Sequence, residues 1–415
     1  MNNAKGPQLK RVVNTRMLAL YGIGNIVGAG VYVLIGKIAE PAGYMALVAF
    51  LLAALVAFCA ALSYAELASR FPVSAGVAVY LHEAFKAKRL STVIGIMLVS
   101  AGVVSTATLL KGFAGYFYQL IAIPTWITML VVALALIGIM LKGIKESVGA
   151  AALLTLLEVG GLIFLAVSIL LVRPEALSAY SAGFSDAVST IDWGMAAGII
   201  SAAFIAFYAF VGFEDMVNIA EEVKEPQKSF PRAILISVAV VTILYIVVAI
   251  VALGTLPPQT LGGSSAPLAD VYHAATGNAT TIIVIISLLA TLNGVLVNVI
   301  MGSRFLYGMA RRGWITEWFS KVSARHVPAR GVTIVGVLAL AAALWFPIER
   351  LAQLTSLLLL CVFAAVNLSL IVIRRRGGAA ARSLQLSPTF IPWVGAIASI
   401  SLLFAQMAVT IAALL

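Results

Sequence analysis

"YGIGNIVGAG", residues 21–30, opens the first long apolar run of the chain and places glycine at 22, 24, 28 and 30. A glycine inside a helix costs up to about 1 kcal/mol relative to alanine, so a helix built this way is cheap to interrupt. A second interruption lies in "SAAFIAFYAFVGFEDMVNIAEE", residues 201–222, which runs aromatic, then small, then acidic within one helix length. At membrane depth, backbone leaves the helix only where protein or a watery cavity satisfies its freed N–H and C=O groups. Breaks at corresponding places in two halves of a chain point to a binding site at the membrane midplane of a secondary transporter. The spacing of Gly24 and Gly28 also suits close packing of two helices; the matching second break favours site formation.

The surroundings of both stretches are membranous. Of 415 residues, 62% are hydrophobic and 10% charged, against about 25% charged in soluble domains. Runs of roughly 20 apolar residues, enough to cross the hydrocarbon as helix, recur at about 17–38, 43–67, 91–120, 124–141, 148–172, 193–220, 232–254, 279–308, 331–347, 351–373 and 391–415. No long polar block separates them, so residues 1–415 are expected to form a single all-α transmembrane domain of about 11 helices. If runs one to five (17–172) make one unit and runs six to ten (193–373) another, an odd number of crossings inverts the second relative to the first. The two broken helices then occupy matching positions, and 391–415 is one further helix.

The net charge of +11 is explained by topology. With the amino terminus inside, Lys37, Lys111, Arg173 and Arg350 are the only ones of the 27 basic residues that fall outside. That asymmetry follows the positive-inside rule and rejects nucleic acid as a partner. The basic first 16 residues are followed by a run without a small-residue cleavage site, so no signal peptide is expected to be removed. Cys59 and Cys361 sit in apolar runs and suit small hydrophobes better than a disulfide or a metal. His82, His273 and His326 are isolated, and neither metal-ligand spacing nor a phosphate loop occurs. No cofactor, no metal and no enzymatic activity is expected, and transport is expected to be driven by gradients instead of ATP.

Ionisable and polar residues inside the runs are the remaining candidates. Glu158, in "LLTLLEVGGLIFL", is the deepest acid, and a charge at the bilayer centre costs at least ~2.5–3.5 kcal/mol. Desolvation favours the neutral carboxyl, which makes Glu158 either a proton carrier or a neutral, hydrogen-bonded structural residue. Lys111 lies nearer the outer end of its run and can snorkel. Glu214 and Asp215, with Asn218, follow the second break by one turn, as gate residues or as solvated acids. Ser287, Thr291, Gly294 and Asn298 recur at helical spacing and suit a cavity or ion-site lining, although Ser and Thr can equally bond their own preceding turn.

Four stretches carry a family resemblance. "GIGNIVGAGVY" (22–32), "YAELASRFPVSAGVAVYLHEAF" (64–85), "AFVGFEDMVNIAEEVKEPQKSFPRAI" (209–234) and "SRFLYGMARRGW" (303–314) resemble, in register over about 300 residues, signatures of the amino acid–polyamine–organocation superfamily. The resemblance implies the LeuT fold of two inverted five-helix repeats, with helices 1, 2, 6 and 7 as a moving bundle. It implies that Val27, Gly28, Ala29 and Gly30 present backbone N–H groups to a substrate carboxylate, in keeping with the positive dipole end of the half-helix starting there. It further implies that carbonyls around Tyr208, Ala209 and Val211 accept the ammonium, with Tyr208 or Phe210 as an aromatic gate. Two departures stand out. Members usually have twelve spans, so eleven would leave the carboxyl terminus outside, and many carry a lysine where this chain has Glu158. The expectation is a secondary active amino acid transporter in the plasma membrane, amino terminus cytoplasmic, working by alternating access. Proton coupling, with Glu158, Ser287 and Thr291 as candidate ion or proton residues, is preferred over sodium coupling. An amino acid/polyamine exchanger and a transport-inactive nutrient receptor are the alternatives.

Overall fold

The structure, a computed structural model, describes residues 11, 13–27, 30–72, 76–142, 148–323, 327–377 and 385–412. Among them no strand occurs; one isolated parallel bridge joins Val13 to Val223. The first run is two helices, α1 (Thr15–Val27) and α2 (Gly30–Ala42). Gly43 turns the chain in the left-handed region (φ 57°), where a side chain would be strained, and α3 (Ala46–Arg70) follows. Then come α4 (Gly76–Phe85), α5 (Lys88–Tyr118), α6 (Thr125–Leu141), α7 (Val148–Val172) and α8 (Ala176–Ser189). Asp192 caps α9 (Trp193–Ala209), accepting from the Met195 amide at 2.7 Å, as short acidic side chains do at helix starts. The sixth run continues past α9 as a 3-10 segment, Phe213–Glu222. Proline in the first turn starts each of α10 (Pro226–Thr255), α11 (Pro258–Gly263) and α12 (Pro267–Thr276), a position where its missing N–H is not needed. The chain ends with α13 (Thr281–Arg311), α14 (Ala329–Trp345), α15 (Ile348–Arg376) and α16 (Ile391–Ala412).

Each of the eleven apolar runs falls on one of these helices or on a broken pair. Among the described residues eight helical stretches are long and apolar enough to cross a membrane, the Gly30–Arg70 stretch taking in both α2 and α3, and α6 and α14 are shorter apolar helices. The chain is a multi-pass membrane protein. Large apolar side chains such as Leu171, Trp345 and Phe404 stay exposed on its outer faces, as hydrocarbon contact allows.

Packing sets α1 against α10 and α7, α2 against α9, and α5 against α13 and α15. Polar ties fix this arrangement. Ser237 of α10 donates to the Ala19 carbonyl at 3.0 Å, Tyr116 of α5 to the Tyr32 carbonyl at 2.6 Å, and Tyr32 to the Glu158 carbonyl at 2.6 Å. At the start of α1, the Lys224 amide donates to the Val13 carbonyl at 2.8 Å, and Thr15 and Ser229 share a hydrogen bond of 3.0 Å. Toward one end of the bundle, buried Glu66 accepts from Arg70, from Arg374 of α15 and from the Leu386 amide; at the other, Lys37 of α2 pairs with Glu349 of α15 at 2.7 Å.

Candidate functional site

The two breaks meet back to back. Gly212 has φ 132°, and a Cβ placed on it would lie 2.5 Å from the Asn25 carbonyl oxygen and 2.9 Å from the Ile26 nitrogen. Similarly, a Cβ on Gly30 would lie 2.4 Å from the Ala209 Cα. Glycine is therefore required at both positions by backbone passing backbone. Gly24 packs in another way: its hydrogen faces the Thr155 hydroxyl, 2.0 Å from where a Cβ would stand. The packing and site readings of the glycines thus coincide at Gly24 and Gly30, each of which touches a neighbouring helix and lines a cavity.

That cavity lies between the breaks and α5 and α13, with Asn25, Gly30, Ser105, Tyr208, Val211 and Asn293 in its wall. Its volume is about 30 Å³, room for two or three waters at the ~10–15 Å³ that each requires. A second cavity of about 40 Å³ adjoins it, sharing Ser105, Val211, Asp215 and Asn298, and reaches Phe305 and Leu359. Neither admits an amino acid unless the walls part.

The termini of the half-helices give the cavity its polarity. The starting turn of α2 leaves amides without intrahelical acceptors, while at the end of α9 the Phe210 and Val211 amides take the Phe207 and Tyr208 carbonyls. Positive and negative dipole ends face one space, an arrangement that suits a zwitterion. Tyr208 lines the wall and meets Ser105 Oγ through its hydroxyl at 3.0 Å, while Asn298 Nδ2 donates to the same Oγ at 2.9 Å. Phe210, the other aromatic proposed for the gate, packs edge-on against Tyr245 with ring centroids 5.3 Å apart and is absent from the cavity wall. Val27 is buried at the end of α1, Val211 lines both cavities, and Gly28 and Ala29 lie outside the described residues. The Ala209 carbonyl accepts from Tyr245 at 2.9 Å.

Glu158 is fully buried on α7, and its Oε1 accepts from Asn293 Nδ2 at 3.1 Å. Asn293 in turn lines the cavity. Glu158 Oε2 has no hydrogen-bond partner among the described residues, and neither does Asn25 Nδ2. Buried polar atoms left this way are costly, which marks both as poised for a partner. Ser287 and Thr291 are buried, but their hydroxyls donate to the Ile283 and Ser287 carbonyls of their own helix. Glu214 accepts from the Gly212 amide at 2.8 Å and so stabilises the second break itself. Lys111 lines a separate cavity of about 280 Å³ together with Lys37 and Glu349. Asn25, Ser105, Asn293 and Tyr245 were missed by sequence reasoning. The two asparagines were detectable as carboxamides in apolar runs; Tyr245, in "TILYIVV", offered no signal.

Comparison with known proteins gives the fold and the family. MhsT, solved in complex with L-phenylalanine, superposes with a TM-score of 0.67 at 16% identity, covering 98% of this chain and 99% of that one; the fold is the LeuT fold. The branched-chain amino acid permease BcaP of Bacillus subtilis (strain 168) is 29% identical over 393 residues, 89% of this chain and 82% of its own length. The methylthioribose transporter of the same organism is 28% identical over 90% of this chain and 83% of its own length. The family described as amino acid permease matches residues 14–413, nearly the whole chain, and the chain belongs to that family of transporters.

Proposed function

We propose that the chain is a secondary active amino acid transporter of the cell membrane that works by alternating access and couples amino acid movement to protons. The observation that carries this reading is the line from Glu158 through Asn293 to the cavity between the two breaks. A buried carboxyl with one oxygen unpartnered among the described residues can take up a proton in one state and release it when water reaches it in the other. The amides at the start of α2 receive the substrate carboxylate, and the carbonyls at the ends of α1 and α9 face its ammonium. The small cavity volume supports a site that opens only when the helices move. Two inverted units, 17–172 and 193–373, with 391–415 outside the repeat, supply such movement when helices 1, 2, 6 and 7, taken from both units, rock as a bundle against the rest.

The test is uptake of radiolabelled amino acids into proteoliposomes under an imposed pH gradient without sodium. Accumulation above equilibrium that collapses with a protonophore is the expected result. Flux that needs an amino acid on both sides indicates an exchanger, and binding without flux a receptor.

Orientation is tested separately. The basic-residue asymmetry places the segments holding Lys224 and Lys321 in the cytoplasm. Single cysteines introduced as Lys224→Cys and Lys321→Cys should resist impermeant thiol reagents in intact cells and react after permeabilisation. Ready labelling of both from outside would reverse the assignment.

A further inference from the structure

A groove of about 410 Å³ opens on the side of the bundle between α9, α15 and α16. Its polar side chains gather toward one end of these helices: Arg350 and Gln353 in the first two turns of α15, Gln406 and Thr410 in the last two turns of α16. Past them the wall is apolar. Leu357 lies seven residues beyond Arg350, about 10 Å at 1.5 Å per residue, and Leu403 and Phe204 of α9 line the groove with it. Leu354 and Met407 are exposed, which leaves the groove open to the hydrocarbon. Of the four basic residues that the charge asymmetry places at this end, Lys37 pairs with Glu349 at 2.7 Å, Arg173 pairs with Glu175 at 3.5 Å, and Lys111 faces the cavity that holds Glu349. Arg350 is exposed and forms no ion pair among the described residues; its Nη1 reaches Gln353 Oε1 at 3.4 Å. The Gln406 carboxamide is equally unspent. Its Nε2 meets Thr410 Oγ1 at 3.4 Å, and its buried Oε1 has no hydrogen-bond partner among the described residues, a costly state for polar atoms at membrane depth.

We propose that this groove binds one phospholipid with a net negative headgroup, its phosphate on Arg350 and one acyl chain laid between α15 and α16 as far as Phe204. A guanidinium matches phosphate oxygens with two parallel hydrogen bonds, and a basic side chain at the membrane surface attracts anionic lipid. No acid lines the groove, so the ammonium of a zwitterionic lipid finds no partner there, and the site selects for net charge. An ester carbonyl of the lipid accepts the second N–H of Gln406 Nε2. The end of the chain meets Phe204, five residues before Ala209 closes α9, so the bound lipid packs against the helix that leads into the second break. The groove is separate from the amino acid cavity and does not depend on proton coupling.

The experiment uses the full chain, purified in a non-ionic detergent and titrated with dioleoyl phosphatidylglycerol or dioleoyl phosphatidylcholine, the first lipid bound being read by native mass spectrometry. Wild type is expected to hold phosphatidylglycerol about fivefold more tightly than phosphatidylcholine, the advantage that one basic side chain gives at a lipid surface. Arg350→Gln is expected to erase that difference. Leu357→Trp, which fills the groove from a position that hydrocarbon already touches, is expected to weaken both lipids about tenfold. Arg173→Gln removes a cation from the same end but outside the groove and is expected to change neither affinity. Inorganic phosphate in large excess is expected to leave phosphatidylglycerol bound, since the acyl chain holds it. Equal affinity of wild type for the two lipids, a preference that survives Arg350→Gln or that Arg173→Gln also removes, unchanged binding by Leu357→Trp, or displacement by phosphate each overturns the proposal and leaves the amino acid site untouched. Should one variant not fold, the wild-type preference and the other variant still decide the matter.

Discussion

Glu158→Gln is expected to abolish accumulation driven by a pH gradient while leaving exchange of amino acid across the membrane intact. If one proton moves with each substrate, a gradient of one pH unit supports about tenfold accumulation, since each unit is worth about 1.4 kcal/mol. A gradient of two units supports about a hundredfold, and the variant should fall to a ratio near one. The carboxamide keeps an oxygen for Asn293 Nδ2, whose bond to Glu158 Oε1 is 3.1 Å, so the wall of the cavity is preserved and binding should persist. What is lost is the ability to change charge as the site hydrates and dries. A glutamate whose role is only to fill and bond predicts accumulation unchanged by the substitution. Persistent accumulation in sodium-free proteoliposomes would therefore remove Glu158 from the coupling mechanism.

The second large effect is expected at the crossing of the two breaks. Gly212→Ala introduces a Cβ 2.5 Å from the Asn25 oxygen, 2.6 Å from its carbonyl carbon and 2.9 Å from the Ile26 nitrogen. All three are backbone atoms, so no side chain can swing aside. The φ of 132° adds strain of about 1–3 kcal/mol for any residue with a side chain. Helix α1 must move away from the second break or the break must refold, and either displaces the walls of the cavity. Transport below a tenth of wild type and a clearly lowered melting temperature are expected. Gly138→Ala on α6 is the control: nothing lies within 4 Å of its Cβ position, and both quantities should stay at wild-type values. A Gly212→Ala protein with normal melting and normal transport would show that the crossing is looser than drawn.

Most of the fold was legible because bilayer thickness sets a length that runs of sequence either meet or miss. The breaks were legible too, since Gly22, Gly24, Gly28 and Gly30 are costly in a helix that has no reason to open. What could not be read was which partners these elements meet. Glu66 and Arg374 lie about 300 residues apart, and no periodicity joins them. Tyr245 is one aromatic residue in an apolar run, indistinguishable by composition from packing. Asn293 lies one position from the polar stripe of Ser287, Thr291, Gly294 and Asn298, and that step turns it toward Glu158 while Ser287 and Thr291 bond back to their own helix. Phe210 and Tyr208 are two residues apart, and a helix turns them to different sides, one to Tyr245 and the other to the cavity. Spacing along the chain defines a face; only the crossing helices decide what that face sees.

The short bridge between Val13 and Val223, with the Lys224 amide on the Val13 carbonyl and Thr15 against Ser229, has a mechanical meaning. It joins the outlying end of α1 to the chain just beyond the 3-10 segment, on the far side of each break from α2 and α9. Two arms fastened at their tips and at their elbows cannot swing independently; they form a closed linkage with a single hinge coordinate. Movement of either arm would then turn the other with it.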